Sequence, residues 1–408
     1  MRPPALLLLA SALASAQPPA EFDLLLRGGH VIDPANGIGR VSDVAVTGAR
    51  IARVADSIPV SSAKRVVNAA GLYVIPGMID LHAHAYGTKG ALSQDDTALP
   101  TGVTTAVDCG GAGWRTFEDF KQVVIDRSAT RILVFLNIVG AGMVGSEDNV
   151  EDMDPVATAK KIRQYPGLIV GIKNAHFGPP GWESVRRAVE AGRLSNTPVI
   201  LDNHIQTRTQ RHTREKLLEI LRPGDMHTHF YNDRQVEVID RFTSKVQPWM
   251  FEARQRGVLF DMGHGAGSFL WPVASKAMEQ GFPPDTISTD LHKQSIMGTR
   301  SDMPNCISKM MLLGMTLQDA VLRSTANPAK AISKYPELGT LGEGRGADIA
   351  VLRLETGVFA FRDALNKKRM GRQRLVNVLT VRDGRIVWDR DGIAFPDWRK
   401  AGDYEVLQ

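Results

Sequence analysis

The chain has 408 residues, 43% hydrophobic and 23% charged, a balance that suits a globular enzyme with a large core and is too long for one small domain. Its net charge of +5 and pI near 9.2 are only mildly basic, and no Lys/Arg run stands out except Lys367-Lys368-Arg369, which reads as a solvated loop. A nucleic-acid partner is therefore excluded, and one barrel-sized domain with a smaller companion fits as well as two separate domains.

The first sixteen residues read as a secretory signal peptide. Arg2 precedes the apolar run Ala5 to Ala10, and Ala14-Ser15-Ala16 has the small-x-small form of a signal-peptidase site. Cleavage there would leave Gln17 first and, by losing Arg2, take the formal charge from +5 to +4. The run is too short to span a bilayer. With no cysteine at the cleavage point, the expectation is an exported protein, periplasmic or extracellular, with no membrane attachment once the leader is gone. Residues 17–74 follow as short strands with turns, including Phe22 to Leu26, His30 to Asp33, Asp43 to Val46 and Ile51 to Val54. Period-two alternation and Gly/Pro punctuation mark them as antiparallel, and they are too few to bury a core alone.

Residues 75–334 alternate strands and helices. Strands are predicted at 78–82, 104–108, 132–138, 168–173, 198–202, 225–229, 258–261 and 286–290. Helices are predicted between most of them, for example at 154–164, 182–191, 214–221 and 270–280. Eight strand–helix units imply an α/β fold, a (β/α)₈ barrel whose chemistry gathers at the C-terminal ends of its strands. Residues 335–408 return to strand grammar, Asp348 to Leu352 and Val376 to Val381, with Asp383-Gly384 as a hairpin signal before Arg385 to Trp388. Both chain ends together are expected to build one composite β-sandwich. Cys109 and Cys306 fall inside the barrel segment and read as two buried free thiols.

Eight of the ten histidines, at 82, 84, 176, 204, 227, 229, 264 and 292, sit at or just past predicted strand ends. His82 and His84 close the run from Pro76, and at i, i+2 on a strand they point the same way and can grip one metal ion. Lys173 closes a buried strand, where a bare ammonium is costly; a salt-bridged or phosphate-binding lysine is one reading. His227 and His229 repeat the i, i+2 spacing, and Asp290 ends the eighth strand. Asp261 to Phe269 could be mistaken for a phosphate loop but lacks its Gly-Lys-Ser/Thr ending. His176 reads equally as a loop histidine in solvent or a substrate contact, and Arg300 as a surface arginine or a partner for a substrate carboxylate.

These motifs together resemble the amidohydrolase superfamily, in particular its dihydroorotase/deacetylase-like branch, over nearly the whole chain from about Phe22 to Gly392. The resemblance rests on the His82–His84 pair, the run Gly224 to His229, the run Asp261 to Phe269, and the turn Ser324 to Ala329 that leads such barrels back to their sandwich. It implies two divalent metal ions, zinc for preference, bridged by a carboxylated Lys173. His82, His84, His229 and Asp290 would be ligands, with Asp290 also moving a proton and His264 supporting the oxyanion. His264, His176 and Arg300 would face the small-molecule substrate. His227 would pack below the site. Strand five departs from the family's pattern: its histidine slot holds Asp202, with His204 two residues later, so either residue can be the fifth-strand ligand. The implied reaction is hydrolysis of an amide, cyclic amide or ester by metal-activated hydroxide. A lactonase or esterase on the same site, and a catalytically silent exported binding or scaffold protein, are the rival readings. A homo-oligomer is left open.

Overall fold

A computed structural model of the protein describes residues 20–202, 214–232, 238–332 and 337–402. The leader, residues 1–16, and His204 lie outside the described residues.

The N-terminal segment forms β1 (Phe22–Asp33), β2 (Ile38–Thr47), β3 (Arg50–Ala55), β4 (Ala63–Asn68) and β5 (Tyr73–Pro76). β1 pairs antiparallel with β2, and its other edge is shared. Phe22 to Arg27 run parallel to β4, whereas His30 and Val31 run parallel to β5. A bulge between Leu26 and Gly29 marks the change of partner.

Gly77 leads from β5 into a parallel sheet of seven strands in sequential order: β6 (Met78–Ala83), β7 (Val103–Gly113), β8 (Arg131–Asn137), β9 (Ile169–Ala175), β10 (Val199–Asp202), β11 (Met226–His227) and β12 (Leu259–Phe260). Alternate side chains divide between two cores, as strand geometry requires. Ile79, Leu81, Val107, Leu133 and Phe135 pack together on one face, and Ile132, Val134 and Leu136 face the helices. The helices run at Pro155–Gln164, Glu183–Ser195, Arg214–Ile220 and Trp271–Glu279. Asp154 caps the first of these by accepting from the Val156 and Ala157 amides.

The eighth expected strand, 286–290, forms no ladder. It is joined by single parallel bridges, Asp261 to Thr286 on one side and Ala83 to Leu291 on the other. Backbone bonds from Met262 to Thr286, Gly265 to Thr289 and His84 to Leu291, each 3.0 Å, tie it to both edges of the sheet. The reason is local: Asp290 has φ 47°, which extended pairing cannot accommodate. Likewise β11 stops two residues before His229, at φ 62°. The chain turns just where it presents its polar side chains.

β13 (Ile349–Arg362), β14 (Lys368–Arg382) and β15 (Arg385–Asp389) complete the other sheet. Both chain ends were expected to build one composite β-sandwich; their strands join one eight-stranded sheet, in the order β15-β14-β13-β5-β1-β2-β3 with β4 on β1. β5 is its hinge line, pairing with β1 on one edge and with β13 on the other, Ile349 opposite Pro76. Leu24, Val44 and Val74 from the first segment share a core with Val351, Leu379 and Val381 from the last. Cys109 and Cys306 are both buried and unpaired. Among the described residues no helix is long and apolar enough to cross a membrane.

Candidate metal centre and active site

The C-terminal ends of the parallel strands open into a cavity of about 370 Å³, whose lining includes His84, His176, Asp202, His229, Asp290 and His292. β6 delivers His82 and the residue just past its end is His84, β9 delivers Lys173 and β10 Asp202, while the turns after β11 and before Leu291 deliver His229 and Asp290. Three of these residues hold strained backbone: His176 at φ 54°, His229 at 62° and Asp290 at 47°. Non-glycine residues in this region cost about 1–3 kcal/mol each and concentrate where side-chain direction matters more than backbone comfort.

Two groups of donors converge, His82 with His84 and Asp290, and His82 with Asp202 and His229; within each, the ligand atoms lie within 4.8 Å of one another. His84 Nε2 lies 3.0 Å from Asp290 Oδ1. His229 Nε2 is 3.3 Å from Asp202 Oδ2 and 4.0 Å from Asp290 Oδ2. Lys173, fully buried, places Nζ 3.1 Å from His82 Nε2 and 3.5 Å from Asp202 Oδ2.

The far side of two imidazoles is fixed. His229 Nδ1 donates to the Gly263 carbonyl at 2.5 Å, so Nε2 is the nitrogen turned to the cluster. The Thr228 hydroxyl donates to Asp261 at 2.7 Å and can therefore only accept from His82 Nδ1, at 3.2 Å. This assigns the tautomer that leaves the lone pair on His82 Nε2. Asp261 is itself held by the hydroxyls of Thr286 and Ser288, each at 2.6 Å. Asp80 accepts from the Thr289 amide at 3.0 Å and also binds the Thr289 hydroxyl, anchoring the backbone next to Asp290. Burial pushes the Asp80 carboxyl up to about 7.

Charge in the cluster is balanced internally. Burial would raise the Asp202 carboxyl, but His229, Lys173 and His176 hold it well below the carboxylate range. Burial acts the same way on Asp290, and hydrogen bonds from His292 and His84 with the field of His229 outweigh it. Burial and Lys173 keep His82 neutral. Burial lowers His229, but Asp202 overrides it and draws a proton onto the imidazole, the proton a metal ion would displace. Nitrogen donors with two ionised carboxylates fit a divalent cation of the zinc type.

Not all of the other expected site residues reach the cavity. His264 is fully buried, with Nδ1 against the Gly265 carbonyl at 2.9 Å, Nε2 against Lys309 Nζ at 2.8 Å, and its ring stacked on Phe269. Both nitrogens are thus taken, and the ring does not line the cavity expected to hold substrate. Arg300 is solvent-exposed and turns to Asp302, 3.3 Å away, lining a different cavity. His227 packs edge-to-face on Phe260. His176 does reach the site: Nδ1 meets Glu147 at 2.6 Å, and Nε2 lies 3.4 Å from Asp202. Burial would lower its imidazole, but Asp202 and the Glu147 bond raise it to about 9. Glu147 and Lys309 carry no motif, whereas Asp80 and Thr228 lie inside the runs Pro76 to His84 and Gly224 to His229 without having been singled out. Thr228, between two flagged histidines and facing the opposite way, was the one with a usable signal.

The amidohydrolase family pattern matches residues 271–387. A protein named deacetylase from Brucella anthropi is 30% identical over 303 residues, covering 71% of this chain and 73% of its own. Another deacetylase, from Enterococcus faecalis, is 26% identical over 377 residues, 90% of this chain and 99% of its own. Among solved structures, an adenine deaminase superposes with TM-score 0.83 at 25% identity over 90% of this chain and 100% of its own. A dihydroorotase does so with TM-score 0.78 at 25% identity, over 89% and 98%. These relatives hydrolyse carbon–nitrogen bonds in a generally metal-dependent family, and the chain belongs to the same amidohydrolase superfamily, as a hydrolase of that bond class.

Proposed function

We propose that the protein is a metal-dependent, deacetylase-like amidohydrolase that cleaves an amide, cyclic amide or ester of a small N-acyl compound. The observation that carries this reading is the convergence of His82, His84, Lys173, Asp202, His229 and Asp290, with His82 and His229 each locked from behind so that Nε2 faces inward. His82, His84 and Asp290 would hold one ion, and Asp202 and His229 a second. Asp202 supports a carboxylate ligand from strand five, since its oxygen already faces His229 and Lys173. Two zinc-type ions, when bound, supply Lewis acidity toward a carbonyl and lower the pKa of water.

Lys173 Nζ sits between the two donor groups. Carboxylation of its neutral amine by carbon dioxide, with loss of one proton, would replace a buried cation by an oxygen pair suited to bridge them. Asp290, ionised and at the cavity wall, is the group to accept a proton and pass it to the leaving nitrogen. His176, steered by Glu147, is placed to donate to substrate oxygen. The bonds linking 286–291 to both sheet edges favour closure into an eight-unit barrel. Residues 1–16 favour export.

Elemental analysis of protein purified without chelator, for wild type, Asp202→Ala and His204→Ala, tests the centre. Two ions in wild type, reduced in Asp202→Ala alone, are expected. Metal-free wild type would overturn the enzymatic reading and leave a scaffold protein. Matched amide and ester substrates separate the amidase from a lactonase or esterase.

A further inference from the structure

Arg300, which turns away from the histidine cluster, leads to a second cavity of about 390 Å³ between the helix Met303–Leu312 and the long hairpin of β13 and β14. Its walls share no residue with those of the candidate active site. Three guanidinium groups line it: Arg300, Arg362 and Arg374. Arg374 is braced from behind by Glu355, at 3.1 Å from Nε, and lies 4.5 Å over the Phe359 ring, the orientation in which a guanidinium presents its remaining N–H groups as a fixed fork. Arg362 makes no side-chain hydrogen bond or ion pair among the described residues. Against these three cations stand Asp302, paired with Arg300, and Glu355.

Asn305 supplies the second observation. It is 7% exposed, lines the same cavity, and its Oδ1 is buried without a partner. A buried amide oxygen left unsatisfied costs about 1–3 kcal/mol, and such atoms are uncommon. An acceptor among three arginines is matched by a ligand that is anionic and also carries a donor. The hairpin itself is basic, with Lys367, Lys368, Arg369 and Arg372 beside the cavity strands, which raises the local concentration of anions.

We propose that this cavity binds an oxyanion that retains an O–H donor, as phosphate does near neutral pH, at a site separate from the metal centre. The guanidinium groups take the charged oxygens and Asn305 Oδ1 accepts from the protonated one. Thr299 links the two sites. It lines this cavity, its hydroxyl donates to the Gly265 carbonyl at 3.0 Å, and its carbonyl accepts from Lys309 at 3.2 Å. The loop carrying Gly265 continues into Ala266, Gly267 and Ser268 of the active-site wall. The proposal stands independently of the metal-centre reading.

Calorimetric titration of the full protein with inorganic phosphate, glycerol phosphate and sulfate at neutral pH tests it. Arg300→Ala/Arg362→Ala and Asn305→Asp are the variants, checked for folding by thermal unfolding, and Asp202→Asn reports binding at the histidine cluster. A phosphate affinity at least tenfold weaker in both cavity variants and unchanged in Asp202→Asn is expected, with inorganic phosphate, which keeps an O–H at neutral pH, bound more tightly than glycerol phosphate, whose phosphate group does not. Binding lost in Asp202→Asn but kept in the arginine variant, or no saturable phosphate binding at all, would overturn the proposal. Sulfate binding as tightly as phosphate would overturn the donor requirement.

Discussion

Thr228 sits between two histidines of which only one faces the metal centre, and its own role is to decide a tautomer on β6. Its hydroxyl is committed to Asp261, so it can serve His82 only as an acceptor. Thr228→Val keeps the shape and removes that control; a 10- to 100-fold loss of metal affinity, read by competition with a chelator, is expected, as for other partners of ligating histidines. Lys309 offers a pH-dependent test. Burial lowers its amine to about 8 from an ordinary 10.5. Between those values the unfolded chain holds a proton that the folded one lacks, so folding stability from this group rises as pH increases from about 8 to 10.5, and below 8 it contributes no slope. Lys309→Met should flatten that rise, a difference of up to about 3 kcal/mol across the window by denaturant unfolding. A parallel pH dependence in both proteins would refute it.

The parallel strands are short because their ends are turned by residues with chemical duties. β10 to β12 span only four, two and two residues, so pairing energy there is small and side-chain networks hold the ends in place. Gly265 has φ 53°, and a Cβ there would overlap the Asp290 carboxylate. Gly265→Ala is therefore expected to cost about 1–3 kcal/mol in unfolding free energy and to displace Asp290, lowering kcat more than KM is changed. This layer also marks where sequence reading succeeded and where it stopped. The runs ending in His82 and Asp202 were legible because an apolar stretch with a polar terminus is a local property, whereas Asp225 to His229 and Thr286 to Asp290 hold few apolar residues and stood out through the family resemblance. The burial of His264 was not, because Lys309, which occupies its Nε2, lies 45 residues further on in a helix with no motif. Arg300 matches its surface reading rather than the substrate one, and its direction is set by φ 51° and by Asp302, neither visible as a pattern. Glu147 acts from a loop, where spacing carries no register.

Besides their apolar packing, the two sheets share a charged joint at Asp348. Gly77 donates to the Asp348 carbonyl at 2.7 Å, and Arg131, on β8, pairs with the Asp348 side chain, which also lies 3.5 Å from Arg382. Removing the cation nearest a buried carboxylate is costly even when a second stands by. Arg131→Met should lower the unfolding free energy by about 1–3 kcal/mol, and calorimetry should resolve two transitions where the wild type shows one. A single unshifted transition would show that the sheets are coupled by packing alone. The placement of β5 also has a consequence for synthesis. As the chain emerges, β1 to β5 can assemble early, but the edge of β5 that awaits β13 stays open until some 270 further residues have been made. Throughout that interval a short apolar strand, Tyr73 to Pro76, lies bare and directly upstream of His82 and His84. An unpaired edge of this kind invites pairing with a neighbouring nascent chain. The order in which the ribosome releases this protein, rather than the stability of its finished form, would then set how much of it reaches the folded state.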